Sequence, residues 1–192
     1  MNGYSTLVVP LRQDHCSVLS APPEMTDRFK AATGVRLGDA YASQTFCMAD
    51  EVPGLLVGDF VHNALGFLMV RDRVRELLAT HATAEIEWLP FRLLNHKGRV
   101  AEERAWIANV IGTCDCVDLA RTTGTPKAGR PGQFLEITEL HLDESRIDPQ
   151  RNIFRIAARP RVVVVRDDLR AALEAAQTTG VRFAAMGEQV EL

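Results

Sequence analysis

The side chains able to do chemistry are few and scattered. Asp115 and Asp118 stand near the end of an apolar run, where two carboxylates could hold a metal or divide acid and base roles. Glu85 and Glu87 repeat the motif two residues apart, but in an extended segment that spacing puts both on one face and marks its solvent side. Cys47 becomes a nucleophile only if a neighbour lowers its thiol pKa, and its surroundings are apolar with no activating base. Cys114 and Cys116 form a CxC pair whose side chains diverge in an extended chain. With no second CxxC or HxxxH element they lack a zinc ligand set and read as small hydrophobes. His62, His81, His96 and His141 show no ligand spacing.

The run from Gly124 to Pro131 separates two glycines as a phosphate-binding loop does, yet Arg130 and Pro131 occupy the places of Lys and Ser or Thr. A magnesium-binding hydroxyl is then missing, and Pro131 removes an amide that the loop must offer. A flexible surface loop is the simpler reading. GxSxG, GxGxxG and HExxH are absent as well. These patterns predict no catalytic, cofactor-binding or metal residues and no cofactor.

The elements that would position these groups are read from periodicity. Thr6 to Leu11 is β-like, and Asp27 to Thr33 is a short helix stopped by Gly34. Phe46 to Asn63 reads as a turn-containing hinge around Pro53-Gly54. Val70, Val74, Leu77 and Leu78 form an apolar stripe that predicts an amphipathic helix ending near Thr80. Glu85 to Arg99 predicts an edge strand kinked at Pro90, a turn at Gly98, and a return strand through Trp106 to Ile111, paired antiparallel. Asp118 suits the cap of the turn that follows. FLEITELHLD, apolar on both faces, reads as a central strand. Asn152 to Ala157 and Arg161 to Val165 add two strands. Asp167 is placed to cap a helix striped by Leu169, Ala172, Leu173 and Ala176 and ended by Gly180.

Composition sets the class. With 192 residues, 46% of them hydrophobic and 24% charged, the chain can bury a core and suits one subdivided body. A net charge of −3 leaves no positive field for nucleic acid. Up to Gly66, seven acids face four bases, a mildly acidic bias suited to steering a basic partner. The first 16 residues lack a secretory pattern, no run approaches a membrane span, and four unevenly spaced cysteines fit a reducing compartment, so a cytoplasmic location is expected.

The order of the segments FCMADEVPGLLVGDFVHN, EIEWLPFRLLNHKGR, WIANVIGTCDCVDL, ELHLDESRIDPQRNIFRI and DDLRAALEAAQTTGVRF resembles bacterial immunity-protein family eleven of polymorphic toxin systems. The matching residues are Asp59, Asn63, Glu87, Leu89, Pro90, Gly98, Asn109, Asp118, Ile153-Phe154-Arg155 and the stretch from Gly180 to Phe183, between Phe46 and about Glu188. Arg121-Thr122 departs from the family, which often has Ser there.

The resemblance implies an α+β fold, with a mixed, largely antiparallel sheet and amphipathic helices in one body. Residues 1–45 would be a divergent N-terminal region of the same fold, and 46–192 the immunity-protein-like domain. It further implies a non-enzymatic protein that binds and neutralises a cognate protein toxin, the product of a neighbouring gene, with no nucleic-acid or membrane partner and an unassigned toxin-binding surface. The alternatives are a small cytoplasmic enzyme that modifies a toxin or a nucleotide and uses Asp115, Asp118 or Cys47 with the basic loop after Asp118, or an effector-loading adaptor.

Overall fold

The computed structural model describes residues 3–192. In chain order it runs β1 (Tyr4–Val8), β2 (Ser17–Val18), α1 (Arg28–Thr33), β3 (Gln44–Cys47), β4 (Phe60–Asn63), β5 (Met69–Arg71), α2 (Asp72–His81), β6 (Ile86–Leu94) and β7 (Val100–Val110). It continues with β8 (Thr123–Pro126), β9 (Phe134–Glu139), β10 (Ile153–Ile156), β11 (Arg159–Arg166), α3 (Asp167–Ala175) and β12 (Arg182–Ala185). The fold is α+β.

An antiparallel sheet has the order β10-β11-β1-β12. A second, mixed sheet has the order β2-β4-β5-β7-β6-β3, with parallel pairs at its two ends. Their shared core gathers Leu7, Val163 and Val165 from the first sheet with Val70, Ala108 and Val110 from the second. The apolar stripes of α2 (Val74, Leu78) and α3 (Leu169, Leu173) enter the same cluster. Beyond the second sheet, Leu89, Phe91 and Ile107 pack with Phe46 and with Ala31 and Ala32 of α1. Beyond the first, Val162, Val164 and Phe154 meet Ile137 and Leu140. Because β11 is covered on both faces, Val162 to Val165 are all buried, which explains an apolar run without alternation.

The expected α1 forms and ends at Gly34 (φ +74°), the β6–β7 hairpin is antiparallel, and α2 buries Val74 and Leu78 of its predicted stripe, whereas Val70 belongs to β5 and precedes the helix. The Phe46 to Asn63 segment contains the end of β3, an irregular loop and β4.

Five local expectations are corrected. First, β9 is not a central strand. It forms a two-stranded hairpin with β8 and buries Ile137 against the face of the first sheet, while Ile137 and Thr138 bond to Leu192 and Val190 along its other edge. Second, the supposed flexible loop begins as β8. Third, β6 is an edge over only half its length, because β3 pairs in parallel with it from Phe91 onward. Pro90 sits where that pairing stops and an amide is no longer required. Fourth, Asp167 does not cap its own helix; its carboxylate accepts from the Gly3 amide at 2.8 Å. Fifth, α3 ends before Gly180, and Gln177 has the positive φ near its end. Gly180 instead passes so close to Phe60 that a Cβ would stand 2.2 Å from its carbonyl oxygen.

Candidate functional site

The residues with chemical potential are dispersed. Asp115 forms an ion pair with Arg146. Asp118 accepts from the Ala120 and Arg121 amides at 3.1 and 3.3 Å, the turn-capping role its position suggested. Cys47 lies exposed on β3 of the second sheet. Burial pushes the Cys116 thiol well above its ordinary value, the direction opposite to that needed for a nucleophile or metal ligand. In the glycine-rich segment, Gly124 is held in the β8–β9 ladder, and the amides of Lys127 and Arg130 are spent on Gln133 and Lys127 carbonyls.

The family-like polar residues do come together, but with the protein's own backbone. Glu87 accepts from the Leu37 amide (3.0 Å), the Gly38 amide (2.7 Å) and the Asn109 side chain (2.9 Å). It is therefore not on the solvent side, as spacing suggested, but fastens the segment after α1 to the unpaired half of β6. Partial burial alone would raise its pKa. The three donors, with Arg36, outweigh that and hold it below the ordinary glutamate value. Asn109 also donates to the Val35 carbonyl at 3.0 Å. Asp59 accepts from both the amide and hydroxyl of Thr179 at 2.9 Å and so ties the start of β4 to the segment after α3. Asn63 shapes the β4–β5 turn by accepting from the Leu65 and Phe67 amides.

Arg155, like Asn109, has no exposed surface. Its guanidinium donates to the carbonyls of Val110, Ala31, Ala32 and Pro160 at 2.8–3.2 Å. Burial lowers its pKa to about 10, which leaves it charged at neutral pH. It thereby satisfies the last carbonyls of α1 and joins that helix to both sheets. A single base inside the apolar run IFRI was the available signal for this role.

Sequence reasoning missed two further groupings. Arg75 of α2 lies 4.3 Å from the Trp106 ring centroid and 5.8 Å from that of Trp88, while Trp106 Nε1 donates to Asp72 at 2.5 Å. The stripe of α2 flagged its apolar face but not the arginine above the two tryptophans. The other is a groove of about 260 Å³ whose lining includes Leu7, Phe67, Arg159, Arg161 and Glu191. Arg159 Nε is buried there without a hydrogen-bond partner among the described residues.

The Imm11 model, described as an immunity protein family, matches residues 21–188. The chain belongs to the Imm11 immunity protein family. The match begins within the first 45 residues and reaches past β12. No curated protein matches the chain. For this Imm11 protein, the matched region contains the Asp59, Glu87, Asn109 and Arg155 contacts that fasten the two sheets and α1 together. No helix among the described residues is long and apolar enough to cross a membrane.

Proposed function

We propose that the protein neutralises a cognate bacterial toxin by binding it and occluding its active site or substrate access, without itself catalysing a reaction. The observation that carries this reading is the match to an immunity family over most of the chain. The internal use of Asp59, Asn63, Glu87 and Arg155 supports it, because these residues maintain a scaffold while surface loops remain free to meet a partner. A stable complex of ordinary size would cover about 800 Å² on each partner. The toxin in this reading is the product of the adjacent gene, and binding takes place in the cytoplasm of the producing cell.

Co-expression with the toxin domain of the adjacent open reading frame tests the proposal. Growth should be restored, and the two proteins should co-purify as a stoichiometric complex. Continued toxicity without a complex would defeat it. The variant Cys47→Ala/Asp115→Asn/Asp118→Asn should protect within about twofold of the parent, since Asn retains the turn-capping chemistry at 118. Loss of protection by a folded triple variant would instead favour an enzyme.

A further inference from the structure

Two loops that are distant in sequence are joined through their backbones and carry exposed leucines and carboxylates. Leu11, Leu55 and Leu56 are 56%, 62% and 55% exposed, although each could bury a full aliphatic side chain. Asp14, Asp50 and Glu51 are exposed on the same loops. Arg12 is the one Lys or Arg among residues 11–15 and 49–56. Asp14 pairs only with its neighbour His15, at 2.8 Å, and no ion pair engages Asp50 or Glu51 among the described residues.

The backbone holds these loops together. The Leu56 amide donates to the Asp14 carbonyl and the Cys16 amide to the Leu56 carbonyl, both at 3.0 Å. The Ala49 amide donates to the Ser17 carbonyl at 2.8 Å, and Val52 closes the turn bearing Asp50 and Glu51 by donating to Ala49. Gly54 is pressed against His15 so tightly that a Cβ would lie 2.2 Å from its carbonyl oxygen. The leucines and acids are therefore presented on an ordered platform, which limits the entropy lost when a partner docks.

We infer that this leucine-bearing acidic platform is the toxin-docking surface, and that its occupant is a basic face of the toxin with an apolar depression at its centre. The inference rests on the toxin-neutralising reading above. Charge complementarity selects the partner's sign: three carboxylates against one guanidinium attract a basic surface and repel an acidic one. The platform also joins a segment inside the family match, 49–56, to one outside it, 11–15. Specificity for one toxin then arises where this chain adds its own residues to the shared framework.

The test measures binding of the full chain to a catalytically inactive form of the adjacent-gene toxin. Leu55→Ser/Leu56→Ser should weaken binding at least a hundredfold, mainly through faster dissociation. Asp14→Asn/Asp50→Asn/Glu51→Gln should slow association about tenfold and flatten its dependence on salt. Leu135→Ser, an exposed position on β9, should remain within twofold of the parent. Melting curves matched to the parent establish that the variants fold. If the parent binds and both platform variants bind within threefold of it, the surface assignment falls while the toxin-neutralising reading stands. If the parent itself does not bind, that reading fails and the inference with it. Loss of self-association in place of toxin binding would assign the leucines to a second copy of this chain and overturn the proposal.

Discussion

At position 155 a guanidinium is enclosed with four backbone carbonyls as its hydrogen-bond partners. Charge burial is costly, so its retention depends on each of its three nitrogens finding an acceptor and on α1 gaining partners for its last turn. Arg155→Met removes these donors at once and should lower stability by about 3–5 kcal/mol, read as a fall in the urea midpoint at unchanged slope. A loss below about 1 kcal/mol would show that the carbonyls find other partners. Glu87 gives a pH-dependent counterpart. Its folded pKa lies below the ordinary value of 4.5, so its contribution is present above that value and disappears as pH falls through the folded pKa. The stability gap between the parent and Glu87→Gln should therefore be widest near neutrality, and narrow and then close as pH falls below 4.5 and through the folded pKa. A gap that grew on acidification would contradict the assigned sign.

The hairpin of β6 and β7 shows what neighbouring elements add to a pattern that can be read locally. Alternation and the Gly98 turn specify the pair, but the far side of β6 is managed by residues 37–47. Glu87 clamps two amides, the Tyr41 hydroxyl donates to the Pro90 carbonyl at 2.9 Å, and β3 pairs from Phe91. None of these partners is adjacent in sequence, so the edge was legible while its cover was not. Two glycines separate backbone conformation from packing. Gly98 has φ +68° with open space at its Cβ position, whereas Gly180 has φ +79° and faces the Phe60 carbonyl. Gly98→Ala should cost about 1–2 kcal/mol from backbone strain alone. Gly180→Ala should cost at least about 2 kcal/mol more, because the backbones of β4 and the post-α3 segment must separate. Equal shifts in the denaturation midpoint would show that this contact yields freely.

At the scale of the whole molecule, β1 lies outside the matched family region yet occupies an interior place between β11 and β12. A chain beginning at residue 21 loses that strand, its hydrogen-bond ladders to β11 and β12, and Leu7 from the shared core. It should show no cooperative melt, and a sharp transition comparable to that of the full chain would refute this expectation. The sequence alone determined α1 and its glycine stop, the α2 stripe, the β6–β7 hairpin, the Asp118 turn and the immunity-family resemblance. Each of the structural features depends on residues close along the chain, where periodicity and turn chemistry act directly. Only the tertiary structure decided that β1 is interior, that β9 covers a sheet face, that Glu87 and Arg155 are internal fasteners, and that the loops at residues 14–17 and 49–56 are joined through their backbones. Those outcomes depend on which distant backbone groups and side chains meet; a local pattern of apolar and polar residues is compatible with several such pairings until the remainder of the chain excludes all but one.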